Sequence, residues 1–374
     1  MMNDPGNLPR SGNLPRFCVL GAGHGGMAMA GHLGLMGVSV KLFNRSEPRL
    51  EPIRLTGGIE VTGEVEGFSP IAVATTDIAE AVDETDVLMV VVPANGHRFM
   101  AEKVAPHLRE GQIVVLNPGR TGGAFEFRNI LKQCHVEADV IVAEAQTLIY
   151  ASRAMNPAQV KIFGIKNTIP VAALPGQRTV EVVRVLRKVY PQFVPGDNVL
   201  KTSLDNIGAI FHPALTVLNA ARIESTRGEF QFYMDGITPS LSKILEALDA
   251  ERVAVAAALG IRAMPAREWL YVAYDAAGKT LYEAIQNNPG YAGIGAPAFV
   301  DHRYIWEDVP MSLVPIASIG DVLGVETITM DAMIHFASLL NDTDYWAVGR
   351  TAERMGLAGL TVREIRRLAL EGEI

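Results

Sequence analysis

The chain has 374 residues, about half of them apolar, and a formal net charge of -8. That length exceeds one ordinary core and makes two domains the starting expectation. The scattered basic residues exclude a nucleic-acid footprint, and no apolar run approaches the ~18 residues of a membrane span.

The opening stretch, MMNDPGNLPRSGNLPR, has no apolar segment of the kind a secretory signal needs. Its Gly-, Pro- and Asn-rich duplication predicts a disordered tail over 1–16. Two cysteines, Cys18 and Cys134, show no metal-type spacing. Cys18 falls in a strand pattern, so a buried free thiol and a reducing cytoplasm are expected.

From Phe17 short apolar runs alternate with helical patterns. FCVLG predicts a strand followed by a helix to about Gly37, and VSVKLFN a second strand. Asp86–Ala94, Gln112–Gly119 and Asp139–Gln146 are further β-rich runs, continuous as in strands covered on both faces. Strands alternating with helices imply βαβ units and a parallel sheet. RLTGGIEVTGEVEGF breaks the rhythm, and Gly57-Gly58 suggests an antiparallel hairpin inserted into that sheet.

After about Lys201 helical runs dominate: Ser203–Arg227, Ser240–Leu259, Ala266–Asn287, Pro315–Gly324, Thr329–Leu340 and Thr343–Met355. The expected fold is therefore α/β, with an N-terminal Rossmann-type doubly wound sheet over 17–200 and an all-helical C-terminal domain over 201–374. A helical domain this apolar is compatible with a homodimer.

GAGHGG places Gly21, Gly23 and Gly26 in G-x-G-x-x-G spacing between a strand and a helix. The first glycine permits the turn, the second lets backbone approach a pyrophosphate, and the third allows close helix–strand contact. Gly21, Ala22, Gly23, His24, Gly25 and Gly26 are thus candidate cofactor contacts. At the end of the second strand an acidic residue would select NAD by binding its ribose hydroxyl. Asn44, Arg45 and Ser46 stand there instead, and a guanidinium pairs with a 2′-phosphate, so NADP(H) is expected over NAD(H). Pro93, Ala94, Asn117, Pro118 and Gly119 follow later sheet strands and are further candidate contacts. His97 is expected at the surface.

LDNIGAIFHPALTVLNAARIE, residues 204–224, puts one histidine and one proline in an apolar helical run. A buried histidine is usually a satisfied core residue. Here Pro213 removes a helix donor, and Asn206 and Asn219 recur around His212. DHRYIWEDVPMSLVP, residues 301–315, reads as an ordered loop whose carboxylates could orient the imidazole. The eight histidines show no ligand spacing, so no metal is expected.

The glycine-loop domain, N-x5-H-P-x5-N over Asn206–Asn219, and R-x4-D-V-P-x-x-L-V-P over Arg303–Pro315 together resemble the opine dehydrogenase family, from about Phe17 to Gly359. The resemblance implies NAD(P)H-dependent reductive condensation of a 2-oxo acid, pyruvate foremost, with an amino acid. The product is an N-(1-carboxyalkyl) amino acid, and the partners are small molecules. It implies His212 as the catalytic histidine, Asp308 as its partner carboxylate and Arg303 as the substrate-carboxylate clamp. Asn206 is an added substrate-side candidate. AEAQTLIYASR resembles the stretch lining the amino-acid side, which adds Glu144, Gln146 and Thr147. Two other readings stay open: a reductase of a simple 2-oxo acid, of the 2-dehydropantoate reductase or 2-hydroxyacid dehydrogenase kind, and a non-catalytic NADP-binding regulator. A 2-oxo acid reductase often uses lysine as proton donor, and no lysine occurs between Leu204 and Thr238.

Overall fold

The computed structural model describes residues 14–373 and divides into two compact units. Of the described residues, the first comprises 14–119, 123–202 and 368–373, and the second comprises 120–122 and 203–367. This division differs from a single boundary near residue 200: Arg120–Gly122 belong with the second unit and Leu368–Glu373 with the first. Most of the expected tail lies outside the described residues. Arg16, inside them, pairs with Asp86 at 3.0 Å.

The first unit is built on β1 (Phe17–Leu20), β2 (Val40–Phe43), β3 (Gly58–Gly63), β4 (Gly67–Pro70), β5 (Val73–Thr75), β6 (Val87–Val90), β7 (Ile113–Leu116), β8 (Ile141–Ala145), β9 (Tyr150–Asn156), β10 (Gln159–Ile165), β11 (Ile169–Leu174) and β12 (Phe193–Pro195). Eight of them form one sheet in the order β12-β11-β8-β7-β6-β1-β2-β5. β1, β2, β5, β6, β7 and β8 run parallel. β11 runs antiparallel to β8, so the sheet is mixed rather than wholly parallel. The chain leaves β1 for β2 on one side and later returns as β6 on the other. That reversal of strand order makes the topological switch at which such sheets bind ligands.

β1, β6 and β7 are buried along their whole length, as their unbroken apolar runs require. Cys18 lies within β1, and burial pushes its thiol up to about 12.

The expected hairpin is displaced. Gly57 caps the helix Glu51–Thr56 in a left-handed conformation, φ +76°, as glycine does at helix ends. The turn lies beyond it, between β3 and β4, and this hairpin joins β10 and β9 in a separate four-stranded sheet. The helix His24–Leu35 contributes His32, whose Nδ1 is 3.0 Å from Tyr150 Oη; Tyr150 Oη donates to Tyr190 Oη at 2.8 Å. Burial lowers the His32 pKa to about 4.

The second unit is helical. Among the described residues its β structure is one isolated bridge, Gln231 with Gly295. The single helix expected over Ser203–Arg227 is three: Val199–Leu204, Gly208–Leu218 and Ala220–Thr226. The run over Ala266–Asn287 likewise divides into Ala266–Tyr274 and Leu281–Gln286, and that over Thr343–Met355 into Tyr345–Val348 and Ala352–Met355. Asp275 ends one of these helices in a left-handed conformation. The 301–315 stretch is not a loop. It forms the short helix Arg303–Trp306, a wide π-type turn over Val309–Leu313 and the helix Val314–Leu323. Pro310 and Pro315 lack amide donors, which disfavours an unbroken α-helix through them. No helix is long and apolar enough to cross a membrane among the described residues.

Candidate active site

In the first unit the parallel strands bring the loops after β1, β2, β6 and β7 to one edge. Gly21 has φ +119°, and a side chain there would press its Cβ to 2.5 Å from Val91 O. A Cβ on Gly26 would come within 1.8 Å of Gly21 O. A Cβ on Gly23 would meet nothing within 4 Å. Two glycines are therefore required by packing, and the third borders open space. Gly23 also caps the helix His24–Leu35 without any side-chain bond to its first turn. This leaves a helix N-terminus suited to a phosphate group.

The turn after β2 braces that loop. Asn44 Oδ1 accepts from the Ala22 amide at 3.2 Å, and Asn44 Nδ2 donates to Ser46 O at 3.1 Å. Arg45 is exposed. Arg49, absent from the sequence candidates, reaches back so that Nη1 lies 3.5 Å from Ala22 O. His24 is tied elsewhere: its Nδ1 accepts from the Ala154 amide at 2.9 Å. Beyond β6, Pro93 is exposed and Ala94 buried, while His97 is buried rather than at the surface. Asn117 is buried, its Nδ2 donating to Val115 O at 2.9 Å; the Gly119 amide donates to Ala145 O at 3.1 Å.

Glu144 lies beneath this edge and is buried. Its Oε2 accepts from the Ala124 amide at 3.0 Å, capping the helix Gly123–Gln133, and its Oε1 accepts from Thr202 Oγ1 at 2.7 Å. The side chain thus serves the fold of the first unit. Thr147 Oγ1 accepts from Lys166 Nζ at 2.6 Å, and the Gln146 amide donates to Pro170 O at 3.0 Å.

The second unit holds the other constellation. His212 lies in the helix Gly208–Leu218, and Asp308 lies between the helix Arg303–Trp306 and the π-type turn. His212 Nδ1 is 2.8 Å from Asp308 Oδ2; 22% of the histidine side chain is exposed and none of the aspartate. A carboxylate only accepts, so Nδ1 carries the proton and Nε2 is the face left for chemistry. Asp308 Oδ1 is 2.8 Å from Arg120 Nη1. Burial opposes the charge on Asp308. The guanidinium of Arg120 and then His212 outweigh it, and the carboxyl pKa falls below its ordinary value.

Glu307, also buried, spans two guanidiniums: Oε1 is 3.4 Å from Arg120 Nε, and Oε2 is 2.5 Å from Arg303 Nη2. Arg303 keeps 49% of its side chain exposed. The Tyr304 ring stacks on His212 with centroids 4.3 Å apart, and the Phe232 ring stacks on Tyr304 at 5.2 Å. Asn206 is buried, and its Nδ2 donates to Ser312 Oγ at 3.0 Å, which pins the π-type turn to the start of the histidine helix. Arg120 and Tyr304 were missed as site residues, while Glu307 was among the 301–315 carboxylates read as able to orient the imidazole but pairs instead with the two guanidiniums. Arg120 gave no signal, because its carboxylate partner Glu307 is 187 residues away.

A glycine loop on a switch-point sheet, joined in one chain to a helical unit that carries a histidine–carboxylate pair, fits the class of nicotinamide-dependent dehydrogenases. Residues 16–119 match the N-terminal region of NAD-dependent glycerol-3-phosphate dehydrogenase, and residues 195–341 match the alpha-helical domain of NAD/NADP octopine/nopaline dehydrogenase. An opine dehydrogenase from Arthrobacter sp. (strain 1C) is 40% identical over 94% of this chain and 97% of its own. The solved octopine dehydrogenase with NADH and L-arginine superposes with a TM-score of 0.80 at 23% identity, covering 96% of this chain and 98% of its own. Yersinopine dehydrogenase with NADP+ bound gives 0.71 at 16% identity, covering 96% and 98%. The chain belongs to the opine dehydrogenase family. It is an NAD(P)-dependent oxidoreductase acting on CH–NH bonds, by reductive condensation of a 2-oxo acid with an amino acid.

Proposed function

We propose that the protein condenses pyruvate with an amino acid at His212 and Asp308, with NADP(H) as the preferred cofactor. The observation that carries the reading is the 2.8 Å contact from His212 Nδ1 to a fully buried Asp308. It sets the imidazole orientation and leaves Nε2 as the proton-transfer atom. Amine addition to the keto carbon and loss of water form an imine; one hydride and one proton then complete the secondary amine. When bound, the cofactor supplies the hydride.

The chain's own groups do the rest. Protonated His212 polarises the carbonyl and gives its Nε2 proton to the departing oxygen; neutral His212 takes a proton from the secondary amine in reverse. Such positioned help contributes ~10²–10⁴-fold. Asp308 holds the tautomer and stabilises the imidazolium. Arg303, half exposed, is suited to clamp a substrate carboxylate by two parallel hydrogen bonds. Glu144 and Asn206 are supporting rather than contacting groups in this reading, since their buried side chains are engaged in hydrogen bonds within their own units, while Gln146 and Thr147 stay candidate contacts on the amino-acid side.

Toward the cofactor, Gly21 to Gly26 would cradle the pyrophosphate, because the space at Gly23 and the uncapped helix start suit it. Arg45 would meet the 2′-phosphate. The absence of a carboxylate at the end of β2, where Asn44, Arg45 and Ser46 stand, supports NADP(H).

The test is an assay of NADPH oxidation with pyruvate alone, then with pyruvate and each amino acid, with the product mass determined. A mass equal to a pyruvate-derived secondary amine is expected. Full activity without any amine would sink the proposal in favour of a 2-oxo acid reductase.

A further inference from the structure

Arg120 follows Gly119 directly in the chain and adopts a left-handed backbone, φ +58°. That conformation is uncommon for a residue with a side chain, and the side chain here is anchored by charged contacts. Those contacts are two buried carboxylates. Nη1 lies 2.8 Å from Asp308 Oδ1 and Nε 3.4 Å from Glu307 Oε1. Asp308 thus bridges an imidazole and a guanidinium, one oxygen to each. The other titratable or charged groups facing the pair are Arg303, His302, Tyr304 and Tyr233.

We propose that Arg120 is a positioning residue for the His212–Asp308 pair: its guanidinium keeps Asp308 ionised and turned toward Nδ1, so that the mobile proton sits on Nε2. This rests on the reading of His212 as the acid–base group. A carboxylate with no exposed surface is driven to take a proton unless a positive charge stands beside it. A protonated Asp308 would donate to Nδ1 and reverse the tautomer. Glu307 sets the plane of the guanidinium by holding its Nε edge. Lysine, a point charge, would preserve the charge beside Asp308 but not the fork to both carboxylates.

The experiment compares the wild type with Arg120→Gln, Arg120→Lys and His212→Asn. Turnover is measured against pH in the amine-oxidising direction, which needs neutral His212. The ring nitrogens of ¹⁵N-histidine-labelled full-length protein are read by NMR. In Arg120→Gln a positive charge beside the His212–Asp308 pair is gone, so the pair as a whole takes up its next proton more readily, and a proton on the carboxyl also removes the basic form. The acid limb of the profile is expected to move up by roughly one pH unit. Turnover should fall roughly 10-fold with little change in KM for the secondary-amine substrate. The His212 Nδ1–H signal should shift or broaden.

Arg120→Lys is expected to leave the limb in place. It carries the test if the glutamine variant does not fold, and a displaced limb in it overturns the proposal, because the charge is retained. An Arg120→Gln protein with the wild-type pH profile and wild-type histidine signals also overturns it. If His212→Asn turns over near normally, the acid–base reading itself fails. If His212→Asn is inactive while Arg120→Gln is unaltered, only the role of Arg120 fails.

Discussion

His212 and Asp308, 96 residues apart in sequence, meet at 2.8 Å, with the carboxylate fully buried and the imidazole partly exposed. The buried partner fixes orientation and the exposed ring can reach a substrate. His212→Ala should lower turnover by roughly 10²-fold or more while leaving NADPH affinity nearly unchanged. Steady-state kinetics with a fluorescence titration of NADPH checks both, and near-normal turnover would make the histidine structural.

Asp308→Asn should cost turnover as well, by a comparable factor or more, because the amide no longer selects the tautomer. It also leaves Arg120 short of one buried carboxylate, and a loss of roughly 3 kcal/mol of stability is expected. Because the Asp308 pKa is depressed in the folded protein, its stabilisation is present above the ordinary carboxylate value and fades as pH falls through the folded one. Urea unfolding of wild type and variant should therefore converge only in strong acid.

The glycine loop allows a separation of folding from binding. Gly26→Ala forces a methyl group against Gly21 O and should destabilise by several kcal/mol, at the high end for single substitutions. Gly23→Ala meets no neighbour, so its thermal midpoint should correspond to a change within about 1 kcal/mol. NADPH binding, by contrast, should weaken by roughly 10-fold or more, since the methyl occupies space suited to phosphate. Equal NADPH affinity in Gly23→Ala would remove that loop from the site.

Replacing Arg45 by Asp should move the preference from NADPH towards NADH. The ratio of kcat/KM for the two cofactors is the measurement, and an unchanged ratio excludes Arg45 from 2′-phosphate recognition. Arg49, whose guanidinium lies beside Ala22 O, is then the residue to vary next.

His32 makes stability depend on pH independently of the site. Its pKa falls from 6.5 to about 4 on folding through burial, so the unfolded chain binds the extra proton between those values. Stability should decline as pH drops from about 6.5 to 4, and this residue's share is about 3 kcal/mol. His32→Gln should flatten that part of the profile in urea unfolding at pH 7, 5.5 and 4.

Glu144→Ala should act on stability rather than on substrate. It strips acceptors from the Ala124 amide and from Thr202 Oγ1, at a cost of about 2 kcal/mol. A raised KM for the amino acid with unchanged stability would instead return Glu144 to the substrate side.

Much of the architecture is a local matter and was legible. The apolar runs of β1, β6 and β7 report burial on both faces, and Gly21 and Gly26 report close backbone approach. Punctuation was less legible. Gly57 and Gly58 suggested a hairpin turn, but Gly57 ends a helix whose stop depends on its left-handed backbone. The apolar run from Ser203 suggested one helix, yet it breaks around Asp205–Ile207, where Asn206 bonds to Ser312 in a distant turn.

The chain order of residue types, by itself, determined the dinucleotide loop, the lack of an acidic residue after β2 and the presence of His212, Arg303 and Asp308. Local backbone geometry and side-chain chemistry suffice for those. Only the tertiary structure decided which groups surround the histidine: Arg120 on the far oxygen of Asp308, Glu307 between two guanidiniums, Tyr304 against the ring, and Glu144 withdrawn into the fold. Charge pairing acts over a few ångströms of space, and partners nearly two hundred residues apart leave no mark in composition, period or spacing.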